Sequence, residues 1–174
     1  GWLELVACNY RSDYDLSSHA KRSKQKFEIM DEDEKVLPHV FEISMGIDRS
    51  LYTILEHSLK DDKEHERIVL SLKPYLAPIH IGILSLVKKD GLKEKTDEIY
   101  LEIKRKCDAF LDHSGAIGRR YRRLDEIGVP FAVTVDHQTL EDETITIRKR
   151  DSMEQNRIKI SELDSTIIGS IAYP

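Results

Sequence analysis

The sequence predicts an α/β (α+β) chain in two parts, a mixture of strands and helices over residues 1–64 and an orderly alternation of strands and helices over residues 65–174. Three observations carry this. Short segments alternate apolar and polar residues with the period of two that a strand imposes. Longer segments repeat apolar residues every three or four positions, as a half-buried helix does. A charged run over residues 60–67 interrupts both patterns and is the best candidate linker.

Taken in order, residues 1–7 set Trp2, Glu4 and Val6 against Leu3, Leu5 and Ala7 and read as a strand, with Glu4 the odd member of its face. Residues 9–13 are turn-like, and Asp13 or a neighbour is placed to cap a helix over residues 14–23. The acidic stretch 31–34 reads as a solvated hairpin loop. In residues 40–44, Val40, Glu42 and Ser44 share one face of an extended segment while Phe41 and Ile43 share the other. A carboxylate and a hydroxyl therefore project together from a strand whose back is apolar. Gly46 allows the chain to turn into a helix with Leu51, Ile54, Leu55 and Leu59 on one stripe, and that helix dissolves in the charged run.

Beyond the run come apolar segments at 68–72 and 79–87, the second a buried-strand candidate. A helix over 92–104 carries Leu92, Thr96, Ile99, Tyr100 and Ile103 on one face, residues 107–112 alternate like a strand, and His113-Ser114-Gly115 makes a turn. The next helix, 117–127, is stopped by Gly128 and Pro130. Strands at 131–135 and 144–150 are joined by a polar turn, and Asp151-Ser152-Met153-Glu154 has the spacing of a capping box that opens a last helix. This order describes a mixed α/β domain.

Composition sets limits. A net charge of -5 with 34% charged residues over 174 positions leaves any nucleic-acid role to a local basic patch. Cys8 and Cys107 lack CxxC spacing, which argues against a disulfide framework or zinc knuckle and fits a reducing, cytoplasmic setting. No apolar run approaches the roughly 18 residues of a membrane span, so no membrane partner is expected. The chain opens without Met in what reads as mid-strand, as a piece of a longer protein would. None of the seven histidines shows metal-ligand spacing, and there is no nucleophile elbow, P-loop or dinucleotide fingerprint.

Three constellations remain. If their strands are neighbours, Glu4, Glu42 and Ser44 converge, and two such carboxylates call for a cation between them, an ammonium group or a metal; solvated or salt-bridged rim positions are the other reading. Arg49 falls in the first turn of its helix, where the helix dipole disfavours a cation. It reads either as a surface arginine paired with Asp48 or Glu56 or as a clamp on phosphate. Arg119, Arg120, Arg122 and Arg123 read as lying off the stripe of Ile117, Tyr121 and Leu124, with Glu126 the one obvious acidic partner, for Arg122. With Arg148, Lys149 and Arg150 they frame an RNA or DNA contact, unless they are simply a solvated face.

Gly1-Trp2-Leu3-Glu4-Leu5-Val6, Arg11-Ser12-Asp13-Tyr14-Asp15-Leu16, the segment from Glu42 to Arg49, Ser114-Gly115-Ala116-Ile117-Gly118-Arg119-Arg120-Tyr121, Asp125-Glu126-Ile127-Gly128-Val129 and Arg150-Asp151-Ser152 together resemble the C-terminal part of the glycyl-tRNA synthetases of the dimeric archaeal and eukaryotic type. The resemblance implies that residues 1–64 end a class II catalytic domain built on an antiparallel sheet, and that residues 65–174 are a mixed-sheet anticodon-binding domain. It implies glycine-ammonium contacts for Glu4, Glu42 and Ser44, ATP binding by Arg49, and tRNA contacts for Arg119, Arg122, Arg148 and Arg150. Glycine, ATP with Mg2+, and tRNA(Gly) follow as ligands, with a homodimer of the full protein. Ile43 and Met45 depart from the Pro and aromatic residue usual in the family, and nothing matches the first two class II motifs. The chain is therefore expected to need an N-terminal catalytic portion for activity. The alternative is a non-catalytic nucleic-acid-binding subunit like the accessory subunit of the mitochondrial DNA polymerase, which resembles the same synthetases.

Overall fold

The computed structural model describes residues 3–172, and the chain divides between Thr53 and Ile54 into two compact units. The first contains β1 (Val6–Ser12), α1 (Tyr14–Ser23), a small hairpin of β2 (Ile29–Asp31) and β3 (Glu34–Val36), β4 (Val40–Met45) and the start of α2 (Ile47–Ser58). β1 and β4 pair antiparallel, with Ala7 opposite Ser44 and Asn9 opposite Glu42. This pairing carries the strand to Ser12, through the stretch expected to turn, because Asn9 and Tyr10 find partners on β4. Gly1 and Trp2, where the strand was expected to begin, lie outside the described residues. The register slips between Tyr10 and Ser12, which leaves Arg11 as the extra residue of a β-bulge. A two-stranded sheet covers neither of its own faces. Phe41, Ile43 and Met45 are accordingly all exposed, and no described residue of this unit is fully buried.

The second unit opens with β5 (Leu59–Asp62) and β6 (Arg67–Leu70), an antiparallel hairpin. The charged run expected as a linker is thus ordered structure, closed by Asp62 opposite Arg67 and by an ion pair between them at 2.7 Å. There follow β7 (Ile81–Ser85), α3 (Leu92–Ile103), β8 (Ala109–Asp112), α4 (Ile117–Glu126), β9 (Phe131–Val135), α5 (His137–Asp142), β10 (Thr144–Lys149), β11 (Gln155–Lys159) and α6 (Leu163–Ile171). One five-stranded sheet runs β11-β10-β9-β7-β8, parallel across β8, β7 and β9 and antiparallel across β9, β10 and β11. It is a mixed sheet, as expected.

Two local expectations fail for identifiable reasons. The supposed polar turn after β9 is the helix α5, because Asp136 caps it reciprocally with Thr139 in a capping box. The supposed capping box at 151–154 instead turns the chain into β11, whose backbone pairs along β10 from Thr144 to Arg148. β7 is buried on both sides, as a central parallel strand should be. Ile81 and Ile83 pack with Ile99, Val133, Ile145 and Leu163 on the α3 and α6 side, while Leu84 packs with Leu124, Val129 and Ala132 beneath α4. Gly128 ends α4 at φ 83°, and a Cβ there would stand 3.1 Å from the Leu70 carbonyl oxygen. Only glycine fits both conditions.

Candidate functional site

In the first unit the bulge at Arg11 decides the geometry. Its guanidinium reaches Asp15 in the first turn of α1 through Nε at 2.5 Å and Nη2 at 2.8 Å, and reaches the Glu42 carboxylate through Nη1 at 3.3 Å. The hydrogen bond and charge of Asp15 raise the Arg11 guanidinium above its ordinary value, and Arg11 in turn holds the Asp15 carboxyl below the usual range. Ser44 lies two residues along β4 on the face of Glu42, opposite Ala7, so a small side chain leaves space beside the hydroxyl. The face therefore presents a carboxylate, a hydroxyl and a guanidinium together, and Arg11 is the member that sequence reasoning missed. Its position in the Arg-Ser-Asp-Tyr-Asp block carried the signal, but only the bulge aims it at Glu42.

Glu4 is not brought to that face. It precedes the paired part of β1 and sits against α2, where the Arg49 guanidinium donates to its carbonyl oxygen at 2.7 Å and lies 3.8 Å from its carboxylate. Among the described residues no hydrogen bond or ion pair joins Glu4 to Glu42 or Ser44. The expected convergence is split into a Glu4–Arg49 group and a Glu42–Ser44–Arg11 group. Arg49 uses neither Asp48 nor Glu56 as a partner, and its side chain remains about half exposed at 48%.

In the second unit the arginines separate into two kinds. Arg148 and Arg150, expected on the nucleic-acid surface, are 6% and 2% exposed and are spent inside the fold. Arg148 binds Asp125 through two nitrogens at 2.8 and 3.0 Å and stacks over the Tyr121 ring at 5.0 Å. Arg150 donates to the carbonyls of Gly128 and Leu72 and to Asp151. Arg67 joins the same network through Asp62, Asp125 and the Arg150 carbonyl. Hydrogen bonds from His65 and Arg67 hold the Asp62 carboxyl at about 2. A guanidinium can be buried when its donors are filled in this way.

Arg120 is also buried, at 3%, against the expectation that it lies off the inward stripe of α4. It stands three residues after Ile117 and four before Leu124, which is the buried spacing itself. It donates to the carbonyls of Ser85, Asp112 and Gly115, and burial lowers its pKa. Arg123, for which no partner was expected, binds Asp112 across the turn. Burial alone would raise the Asp112 carboxyl, but bonds from the Ser114 N–H, Arg123 and the Ser114 hydroxyl hold it below the usual range. Arg119 and Arg122 are exposed. Arg122 donates to the carbonyls of Glu66 and His65, and Arg119 has no side-chain partner among the described residues.

Residues 76–169, which hold the whole five-stranded sheet, match the family described as Anticodon binding domain. The chain belongs to that family. Over 99% of its length it is 46% identical to a glycine–tRNA ligase of Clostridium beijerinckii, covering 38% of that protein, and over 75% it is 53% identical to a glycine–tRNA ligase of Methanocaldococcus jannaschii, covering 22%. The resemblance to glycyl-tRNA synthetases read from the sequence motifs is borne out. The chain spans about two fifths or less of the length of these relatives. The prolyl-tRNA synthetase of Cryptosporidium parvum, solved with L-proline and AMP, superposes with a TM-score of 0.73 at 21% identity over 97% of this chain and 34% of that one, a likeness of fold.

Within the anticodon-binding domain one constellation invites a catalytic reading. The Ser85 hydroxyl lies 3.0 Å from His113 Nδ1, and His113 Nε2 lies 2.7 Å from Asp97, the order of a hydrolytic triad. Ser85 is fully buried, so its hydroxyl meets no substrate. The three residues tie the end of β7, the turn after β8 and α3 together. Among the described residues no cluster of three or more His, Cys, Asp or Glu is arranged to hold a metal ion, and no helix is long and apolar enough to cross a membrane.

Proposed function

We propose that this chain is part of a glycine–tRNA ligase, with the first unit contributing to amino-acid activation and the anticodon-binding domain gripping tRNA(Gly). The observation that carries the reading is the meeting of Glu42 and Arg11 at 3.3 Å on the Ser44 face of β4, with both side chains 37% exposed. Glycine is a zwitterion whose two charges are one carbon apart. A carboxylate beside a guanidinium matches it, with Glu42 and the Ser44 hydroxyl accepting from the ammonium and Arg11 donating to the carboxylate. Glu4 lies at the rim and acts through Arg49.

Activation requires the glycine carboxylate to meet the α-phosphate of ATP, a reaction driven by positioning and by neutralising charge as pyrophosphate leaves. Arg49 is placed to supply that charge, with a planar fork suited to phosphate oxygens or a purine face. Mg2+ would arrive with ATP and supply further charge neutralisation. Arg119 and Arg122 are the cations on α4 left for tRNA phosphates, whereas Arg148 and Arg150 act by holding the turn after β10 in place. The remaining catalytic elements would come from other parts of a longer polypeptide, in a dimeric protein of the cytoplasm.

Glycine-dependent ATP–pyrophosphate exchange by the longest natural form of the protein tests this. Glu42→Gln and Arg11→Gln should each raise KM for glycine at least tenfold, since each leaves one charge of the ligand unpaired. Full activity in both variants would overturn the assignment of the pocket.

A further inference from the structure

The Arg11 guanidinium is shared unequally between its two acidic neighbours. Arginine carries its N–H donors in a planar fork, and a carboxylate at hand takes two of them side by side. Asp15 receives that two-point grip, from Nε at 2.5 Å and Nη2 at 2.8 Å. Glu42 receives only the approach of Nη1 at 3.3 Å, and among the described residues its carboxylate accepts no aligned side-chain hydrogen bond. Its acceptor capacity is therefore open. The outer edge of the guanidinium, between Nη1 and Nη2, likewise has no hydrogen-bond partner among the described residues. Three local features produce this division. The bulge leaves Arg11 outside the paired register of β1 and β4. Ser12 adopts the left-handed conformation at φ 50°, uncommon for a residue with a side chain, and the strand passes through it into α1. Asp15 then falls in the first turn of α1, four residues from an arginine that lies on a strand. The helix dipole accounts for an acid in that turn, but not for its direction, since Asp13 just before the helix meets the Ser17 hydroxyl instead.

We propose that Asp15 is a positioning residue for amino-acid binding: by taking the Nε–Nη2 edge of Arg11 it prevents a two-point pair between Arg11 and Glu42, and so keeps Glu42 open to the substrate ammonium and the outer edge of Arg11 open to the substrate carboxylate. This rests on the reading of the Glu42–Ser44–Arg11 face as the glycine pocket of a glycine–tRNA ligase. The charges balance in the same sense. Asp15 offsets Arg11, and Glu42 is left as one net negative charge for an ammonium to neutralise. Without Asp15, Glu42 is the ion-pair partner that remains to Arg11 among the described residues, and the two would neutralise each other inside the pocket. Asp15 need not touch glycine to act, because its effect passes through Arg11.

The test is a double-mutant cycle in glycine-dependent ATP–pyrophosphate exchange, using the longest natural form of the protein with Asp15→Asn, Arg11→Gln and the two combined. Asp15→Asn alone should raise KM for glycine about tenfold, with a smaller change in kcat and KM for ATP within about twofold of wild type. Added to Arg11→Gln it should change KM for glycine by less than about twofold, because no guanidinium is left to capture Glu42. Methylamine, which carries the ammonium group alone, supplies a second readout as a competitor of glycine. Its inhibition should weaken at least about fivefold in Asp15→Asn and return to near wild type when Arg11→Gln is added, a rescue that damage to α1 would not produce. An unchanged KM for glycine in Asp15→Asn would overturn the proposal, as would an equal rise in both backgrounds, which would assign Asp15 to the folding of α1. The two readings separate cleanly. If Glu42→Gln and Arg11→Gln keep full activity, the pocket itself falls; if both lose glycine affinity and Asp15→Asn does not, this inference alone falls.

Discussion

Replacing Asp125 with Asn tests the buried charge network directly. Asp125 is 1% exposed and accepts three hydrogen bonds, from Arg67 at 2.9 Å and from Arg148 at 2.8 and 3.0 Å. The two arginines are themselves 9% and 6% exposed, so water does not replace a lost partner. Asparagine keeps the shape but supplies one acceptor oxygen in place of two, and its amide N–H groups face other donors. Arg67 retains Asp62 and the Arg150 carbonyl, whereas Arg148 loses the one carboxylate that it binds among the described residues. Removing one partner from a buried ionic group costs about 3–5 kcal/mol. Against a total stability of about 5–15 kcal/mol, this is roughly a fifth or more of what holds the unit folded.

Urea unfolding followed by far-ultraviolet circular dichroism should show the midpoint falling with the m-value unchanged, and the thermal midpoint should drop by about 10 °C or more. The combination Arg67→Met, Asp125→Leu and Arg148→Leu removes the three buried charges together, leaves the partly exposed Asp62 with His65, and should recover part of the loss. A stability for Asp125→Asn within about 1 kcal/mol of wild type would refute the view that this carboxylate neutralises both arginines.

Gly82→Ala on β7 should destabilise by about 1–3 kcal/mol in chemical denaturation, because the added Cβ would meet Leu124 Cδ1 at 2.3 Å inside a packed core, and Leu124→Ala in the same chain should relieve part of the cost. The Asp136 carboxyl is held at about 2, below its ordinary 3.8, chiefly by the Arg157 hydrogen bonds. Its contribution is complete above about pH 4 and is lost as the pH falls towards 2, so Arg157→Gln should lower stability at neutral pH and flatten that part of the acid titration of unfolding. Arg119→Ala should weaken binding of full tRNA and reduce its salt slope by about 1 while leaving stability unchanged, and equal slopes for wild type and variant would remove Arg119 from the interface.

What was legible in the sequence was local. The helix over 14–23, the hairpin around the acidic stretch, the strand carrying Glu42 and Ser44, and α3, α4 and β9 all stand where periodicity and stop signals put them. The failures share a cause. The charged run at 60–67 looked like a linker because the partners of Arg67, Asp125 and Arg150, are 58 and 83 residues away. Arg148 and Arg150 looked like a basic patch because a run of arginines reads the same whether its carboxylates face solvent or another strand. Arg120 was misplaced although its helical spacing put it inward, because burial of a guanidinium depends on three carbonyls that only the ends of β7 and β8 and the turn before α4 provide.

By itself the sequence determined the mixed α/β class, the family resemblance, and which face of β4 carries the carboxylate and hydroxyl. Those properties follow from spacing along a single element, where a period of two or 3.6 is enough. Tertiary structure decided which charges are free to meet a ligand. Pairing of β1 with β4 turned a bulged arginine towards Glu42 and left Glu4 with Arg49. Closure of the mixed sheet withdrew Arg67, Arg120, Arg148 and Arg150 from the surface, because a buried cation persists only where distant carboxylates and carbonyls fill its donors, and their arrival is a property of the fold.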